Sequence, residues 1–157
     1  AIDFLRQHPE HIAWRKLCEN PNGLELIEEY LRQDANHKRL LNWDSLSANP
    51  GMIPLLEKHI DMIHWPALSR NPNAVPLLKQ YRGKIIWQRL CENESPEAME
   101  LLELYADNLD NDPMQECARD GLRLSQNPAA LPLLSRHPRL IEWKALSAHK
   151  EIFEWVE

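Results

Sequence analysis

A short phrase returns along this chain at a nearly constant spacing, and this spacing constrains the fold more than any other feature. In WPALSRNPNAVPLL, which starts at Trp65, a tryptophan is followed by a leucine, a serine and an Asn-Pro pair. Further copies start at Trp14, Trp43, Trp87, Gly121 (where the tryptophan is lost) and Trp143 (where the Asn-Pro pair is lost). Trp43, Trp65 and Trp87 follow one another at steps of 22 residues, as do Gly121 and Trp143, and the other two steps are lengthened by insertions. A fixed period of this size is typical of a solenoid.

The residues after each Asn-Pro pair predict a first helix, which we call helix A. The Asn71 side chain can cap free backbone N–H groups, and Pro72 suits the first helical position. The apolar residues that follow, Val75, Leu77 and Leu78, share one helical face. A second proline four residues after the first leaves two alternatives open: helix A starts one residue late, or it opens with a distorted turn.

A second, shorter element, helix B, is predicted from Trp65 to Ser69 with His64 at its cap position, because Pro66 forbids a longer helix. At this position in other copies, Asn42 and Glu142 are good caps and Ile86 is a poor one. Helices this short are marginal in water, so stacking of repeats must stabilise them.

The predicted fold is all-α: a right- or left-handed α-solenoid of about six short two-helix repeats. We expect residues 1–157 to form one helical-repeat domain, with insertions at about residues 31–40 and 105–120. A kink near Gly121 is a further prediction, because the tryptophan is missing there.

The phrases NPNAVPLL and IHWPALSRNPN resemble the Asn-Pro and tryptophan repeats of multi-copy repeat proteins from giant DNA viruses of amoebae and algae. The resemblance covers nearly the whole chain and is weak between residues 105 and 120. It implies an α-helical repeat fold and a viral or host-derived origin, with the virion or the host cytoplasm as the place of action. It implies no known activity.

Most residues that could carry chemistry recur at one repeat position, which favours a structural role. His8, His59 and His137 share the position of Tyr81, so we interpret them as packing residues. The tryptophans are interpreted as a stacked core. The asparagines could form a polar stripe for an extended peptide, but capping explains them without a ligand; they are Asn20, Asn49, Asn71, Asn93 and Asn127.

Composition narrows the range of binding partners and of cellular compartments that we expect. Of the three cysteines, Cys18 and Cys91 replace a recurring serine, which predicts thiols in a reducing, intracellular compartment. No apolar run is long enough to cross a bilayer, so no membrane partner is expected. The acidic pI of 5.7 argues against nucleic-acid binding.

Nothing in the sequence marks a catalytic, cofactor or metal site. The chain has four glycines, too few for a phosphate cradle, and no recognisable catalytic set. Residues 94–120 carry nine acidic side chains and one basic, and could meet a basic partner surface or a cation. A calcium loop fails there, because Pro113 and Arg119 stand where glycine and glutamate are needed. We therefore expect no enzyme, no cofactor and no metal, while the role of the acidic insertion stays open.

The expected function is a non-enzymatic protein–protein interaction scaffold with an unidentified partner protein. Repeats keep their frame while some surface positions vary, and these positions are the candidate binding surface, which we call the variable surface. It consists of Arg15, Lys16, Glu19, Asp44, Ser45, Arg70, Gln88, Arg89, Glu92 and Gln126. The alternative is a structural component of a virion or other assembly that self-associates through its terminal repeats, where Phe4, Phe153 and Trp155 lack a neighbouring unit.

Overall fold

The computed structural model describes residues 2–106 and 121–148, and in these ranges the chain is helical and contains no strand. Several sequence predictions fall outside the described residues. They concern the part of the acidic insertion in residues 107–120, the calcium-loop comparison and the terminal residues Phe153 and Trp155. The described residues do not test the predicted kink near Gly121 either.

The described α-helices are short, and most alternate with single 3₁₀ turns. They are α1 (Ile2–Gln7), α2 (Trp14–Leu17), α3 (Leu24–Gln33), α4 (Trp43–Ala48), α5 (Ile53–Lys58), α6 (Trp65–Arg70), α7 (Val75–Gln80), α8 (Trp87–Leu90), α9 (Pro96–Ala106), α10 (Gly121–Ser125), α11 (Leu131–Arg136) and α12 (Trp143–Leu146). The 3₁₀ helices are Pro9–His11, Ala35–Arg39, Pro50–Met52, Ile60–Met62, Pro72–Ala74, Arg82–Lys84, Pro128–Ala130 and Pro138–Leu140.

Helix A opens with a distorted turn, which decides between the two alternatives left by the paired prolines. Pro50–Met52 forms a 3₁₀ turn capped by Asn49, and α5 begins directly after it with Pro54 as its second residue. Both prolines therefore lie in a first turn, where a missing N–H costs no intrahelical hydrogen bond. The same order recurs at Pro128–Ala130 and α11.

Helix B begins at the tryptophan, as predicted. The Asn42 side chain accepts hydrogen bonds from the Asp44 and Ser45 N–H groups, and Glu142 Oε2 accepts one from the Ala145 N–H. The poor caps His64 and Ile86 make no side-chain capping bond, yet α6 and α8 still start at their tryptophans. Tertiary packing therefore fixes the start of helix B where the cap residue does not.

The chain divides into two compact units, Ala1–Ala74 and Val75–Glu157. In the first unit α4 packs against α6; in the second, α7 packs against α9 and α10 against α12. Each core is built from the leucines of the repeat. The fully buried ones include Leu46, Leu56 and Leu68 in the first unit and Leu78, Leu90, Leu102, Leu124 and Leu134 in the second.

The insertion at residues 31–40 extends an aromatic stack in the first unit. Asp34 caps the 3₁₀ helix Ala35–Arg39, and the His37 ring stacks on Tyr30 at 3.7 Å between ring centroids. Tyr30 in turn stacks on Trp14 at 3.7 Å. Nε1 of Trp43 donates to the Lys38 carbonyl at 2.7 Å. The added residues thus hydrogen-bond one tryptophan, Trp43, and stack on the tyrosine that covers the other, Trp14.

The prediction of a buried tryptophan column needs correction. Trp43 is 9% exposed, whereas Trp143 is 66% exposed. Trp14, Trp65 and Trp87 are half-buried. The indoles of Trp14 and Trp43 are each covered by a ring 16 residues later, Tyr30 and His59, so the burial of an indole depends on residues that follow it at a distance in the chain.

The prediction of two thiols is wrong for one cysteine. Cys18 is free and buried, but Cys91 is disulfide-bonded. The sequence pattern could not show this, since spacing in the chain does not reveal which sulfurs meet in space. Cys91 therefore does not support the predicted reducing compartment.

Candidate interaction surface

Buried asparagines hold neighbouring repeats together beneath the candidate surface. Oδ1 of Asn49 accepts the Gly51 N–H at 3.0 Å, so the predicted capping role is confirmed. Nδ2 of the same side chain donates to the Cys18 carbonyl of the preceding repeat at 2.9 Å. Asn71 makes the same pair of bonds, to the Asn73 N–H and to the Ser47 carbonyl. One buried side chain thus caps its own repeat and ties it to the previous one.

Sequence reasoning missed this second role. The signal was the recurrence of asparagine itself among the copies within the chain, since aspartate or serine would cap equally well but cannot donate as an amide. In the second unit, Asn127 Nδ2 donates to the carbonyls of Cys91 and Asn93 at 2.9 and 2.8 Å. These buried amides have no face left for a ligand, so a peptide-binding asparagine stripe is excluded at Asn49, Asn71 and Asn127.

The serine of the repeat makes a second link along the chain of repeats. Ser47 Oγ accepts the backbone N–H of His64 at 3.0 Å, and Ser125 Oγ accepts that of Glu142 at 2.8 Å. Cys18 takes this place in the first copy, where the backbone of Asn42 hydrogen-bonds its sulfur. Burial raises the pKa of the Cys18 thiol, which disfavours the reactive thiolate.

The recurring histidine position is a packing position, as predicted. The His59 ring meets Trp43 edge-on, with 5.6 Å between ring centroids. Burial lowers the pKa of His59, and the nearby Lys38 charge acts in the same direction. A neutral ring is thus favoured against the indole.

All ten residues of the variable surface reach solvent. Seven are exposed, while Ser45, Arg89 and Glu92 are half-buried. Arg15, Lys16, Glu19, Asp44, Ser45 and Arg70 belong to the first unit, and Gln88, Arg89, Glu92 and Gln126 to the second. They lie on or just after the B helices because that face of each helix points away from the buried leucines.

Ion pairs occupy part of this surface. Lys16 pairs with Glu19 at 3.1 Å, and the His64 ring lies 2.8 Å from Asp44. In the second unit Glu92 pairs with Arg89 and with Arg123. The exposed pairs of the first unit contribute little to stability, so they leave these side chains available for a partner.

A groove of about 480 Å³ opens on the first unit at the edge of the variable surface. Glu19 and Ser45 line it, together with Pro21, Ala48, Asn49 and Pro50. The turns beneath are close because residue 51 is glycine: a Cβ there would lie 2.3 Å from the Pro21 carbonyl oxygen. The groove thus has a mainly apolar lining, with one carboxylate, that of Glu19, at its rim.

The described residues also bear on two other kinds of site. No group of three or more histidine, cysteine, aspartate or glutamate side chains there is placed to hold a metal ion. None of the described helices combines the length and the apolar character that crossing a bilayer requires.

Comparison with known proteins adds no relative. No protein-family model, no curated protein and no solved structure matches this chain. The residues and their geometry are therefore the basis for any proposal about function.

Proposed function

We propose that this chain is a non-enzymatic protein–protein interaction scaffold built on an α-solenoid, and that it binds its partner through the variable surface. The observation that carries the proposal is a division of labour within each repeat. Leucine, serine and asparagine make the buried contacts between repeats, whereas the second and sixth residues of the Trp-initiated phrase reach solvent in the described copies.

This division matters because it lets the surface vary without cost to the frame. Surface substitutions away from caps and cores change stability by only about ±0.5 kcal/mol. Among the described residues, Arg15 makes no ion pair, although two glutamates lie on the same repeat. An exposed arginine and an apolar groove at Glu19 and Ser45 are thus present in the same unit, and protein interfaces are enriched in arginine and use apolar pockets as anchors.

The α-solenoid itself is supported by the repeated order of elements. Helix A, a 3₁₀ turn and helix B recur with the same hydrogen bonds between neighbours in both units. The resemblance to repeat proteins of giant DNA viruses agrees with such an arrangement and is the sole support for a viral origin. An assembly component that self-associates is the second candidate, and the exposed apolar side chains of Phe4 and Trp143 favour it.

The test compares two triple variants, each of which loses one cationic side chain and two glutamine side chains, but from different faces of the protein. The first, Arg15→Ala/Gln88→Ala/Gln126→Ala, removes one cation and two glutamines from the variable surface. The control, Lys79→Ala/Gln80→Ala/Gln33→Ala, removes one cation and two glutamines from exposed positions on or at the end of A helices. Both are expected to keep the wild-type melting temperature, since all six side chains reach solvent.

Each protein is then used to capture proteins from a cell extract, with quantification by mass spectrometry. We expect a protein that wild type and the control retain and that the variable-surface variant loses. If every captured protein binds all three chains equally, the variable surface is not the binding site and the proposal fails.

A further inference from the structure

Two small residues mark the copy of the repeat that carries the groove on the first unit. Residue 48 is alanine, whereas the same position of the next copy is Arg70. Residue 51 is glycine, whereas its counterpart in the next copy is Asn73, whose Nδ2 donates to the Pro50 carbonyl at 3.2 Å. The copy at the groove thus lacks two longer side chains that the next copy has at the same positions.

The residues that line the groove offer few hydrogen-bond donors to a ligand. Pro21 and Pro50 have no N–H. Both sides of the Asn49 amide are used, because Nδ2 donates to a carbonyl and Oδ1 accepts an N–H. The backbone N–H groups of Glu19, Ser45 and Asn49 already donate to acceptors within the first unit. A ligand that needs donors from the protein is therefore poorly served here.

Groups that accept hydrogen bonds are open on the same residues. The Ala48 carbonyl belongs to the last residue of α4, where no intrahelical donor is available, and it receives no hydrogen bond from the described part of the chain. The Ser45 hydroxyl makes none there either. The Glu19 carboxylate is 53% exposed, and its pair with Lys16 is weak because both side chains reach solvent. An incoming cation can therefore replace Lys16.

The apolar part of the lining consists of Pro21, Ala48 and Pro50, and all three residues are exposed. An aliphatic side chain placed against them loses contact with water on both sides of the contact, which favours binding. The groove volume of about 480 Å³ lies within the usual range of ligand pockets, about 300–1,000 Å³. The groove therefore has room for an aliphatic side chain and part of the chain that carries it.

We propose that the groove binds an extended segment of the partner protein in which an aliphatic side chain stands next to a lysine or an arginine. The aliphatic side chain lies against Pro21, Ala48 and Pro50, and the cation pairs with Glu19 in place of Lys16. Backbone N–H groups of the segment donate to the open acceptors. An extended segment has these N–H groups free, whereas a helix uses them internally.

Complementarity of charge and of hydrogen bonding identifies this occupant. Each open polar group of the groove accepts hydrogen bonds, and the one ionised group in its lining is the Glu19 carboxylate. A cationic segment rich in donors matches these groups, while an acidic segment is repelled. This proposal rests on the scaffold function proposed above and adds the chemistry of the partner.

The test uses the full chain and synthetic tetrapeptides with blocked ends. Ac-Ala-Leu-Lys-Ala-NH₂ and Ac-Ala-Lys-Leu-Ala-NH₂ carry both proposed features, in the two possible orders. In matched peptides glutamate replaces the lysine, or serine replaces the leucine. Binding is followed by NMR through the backbone amide signals of Glu19, Ser45 and Ala48 in ¹⁵N-labelled protein.

At least one of the two lysine peptides should shift these signals saturably, with a Kd of about 1 mM or lower. The glutamate peptide should bind at least about twofold more weakly, because it loses one exposed ion pair. The serine peptide should bind about tenfold more weakly or less, because it loses a buried aliphatic side chain.

Variants of the protein fill the groove with residues that other copies of the repeat already use. Ala48→Arg introduces the residue found at this position in the next copy, Arg70, and Ser45→Arg introduces the counterpart of Arg89. Both variants should keep the fold, which circular dichroism checks, and both should lose peptide binding. The matched control, Gln126→Arg, adds the same side chain at the same repeat position of the second unit as Ala48→Arg does in the first, and should bind like wild type.

Glu19→Gln separates the charge from the shape of the groove. Glutamine keeps the size of the exposed side chain and removes its charge. The variant should still bind the lysine peptide, but its preference for lysine over glutamate should disappear.

Four outcomes would overturn the proposal. They are that neither lysine peptide reaches the expected affinity, that the glutamate peptide binds wild type as tightly as the lysine peptide, that a folded Ala48→Arg protein binds like wild type, or that the groove signals shift with protein concentration alone, which would place a second copy there. The scaffold proposal fails on a different result, unchanged capture by the variable-surface variant, and the substitutions of that variant leave every residue that lines the groove intact.

Discussion

Trp43 and Trp143 occupy the same position of the repeat, yet the structure places them in opposite surroundings. Trp43 is covered by the His59 ring and donates its N–H to the Lys38 carbonyl. Trp143 begins an equivalent helix B, with a well-formed cap at Glu142, but its indole is exposed. The comparison teaches that a repeat residue contributes according to the neighbour that covers it. The motif alone does not decide the contribution.

The largest expected difference in unfolding free energy is between variants of the tryptophans. Trp43→Ala should lower the free energy of unfolding by about 3–5 kcal/mol, as for a buried aromatic side chain. Trp143→Ala should change it by about 0.5 kcal/mol or less, and the half-buried Trp65 should give an intermediate loss. Denaturant titration of the three variants measures this order, and equal losses at Trp43 and Trp143 would contradict the comparison.

The asparagines provide a second pair with a smaller expected difference. Asn49→Ala leaves the Gly51 N–H and the buried Cys18 carbonyl without their partner and should cost about 2–4 kcal/mol. Asn20→Ala removes a capping bond alone, at an exposed site, and should cost about 1 kcal/mol. Thermal and denaturant unfolding of both variants tests this, and a larger loss at Asn20 would mean that capping outweighs the bond between repeats.

The serines provide a third pair, and their expected difference in unfolding free energy is about that of one hydrogen bond. Ser47→Ala removes the acceptor of the His64 N–H and should cost about 1–2 kcal/mol. Ser147→Ala should be near neutral, because this serine is exposed and its Oγ donates to the Trp143 carbonyl of its own helix. Amide hydrogen exchange at His64 gives a direct reading, because its N–H should lose protection in Ser47→Ala.

The smallest effect is a pH dependence from His59. Because burial lowers its pKa, the folded protein binds fewer protons at this ring than the unfolded chain does. Stability from this ring is therefore present above the ordinary histidine pKa of about 6.5 and is lost as pH falls through that value toward the lowered one. His59→Phe, measured by denaturant titration between about pH 5 and 7.5, should show a weaker loss at low pH than wild type. An unchanged slope would show that the ring is not desolvated by Trp43.

Much of each repeat could be predicted from spacing and local chemistry. The period predicted paired short helices, Asn42 and Glu142 were recognised as caps, and the histidine position was assigned to packing. These features depend on residues close in sequence, so the order of residue types is enough to infer them. The paired prolines left the start of helix A open between two alternatives. The 3₁₀ turn at Pro50–Met52 shows that the helix opens with a distorted turn.

The candidate surface was predicted from the positions that vary between repeats while the frame stays fixed, and all ten of these residues reach solvent. The groove beside Glu19 and Ser45 was not predictable, because it depends on how closely two Asn-Pro turns approach at Gly51. The Asn49 amide bond to the Cys18 carbonyl was not predictable either. It joins residues 31 positions apart, and the carbonyl is a backbone group that no residue type marks.

The sequence by itself determined an all-helical chain of repeats whose leucines face inward, because helix punctuation and apolar period are local properties of the chain. The tertiary structure alone decided which tryptophans are buried, that Cys91 is disulfide-bonded, and that Asn49, Asn71 and Asn127 each tie two repeats together. The physical reason is the same in each case. Burial, bridging and pairing depend on the group supplied by a neighbour distant in sequence, and identical motifs therefore acquire different surroundings along one chain.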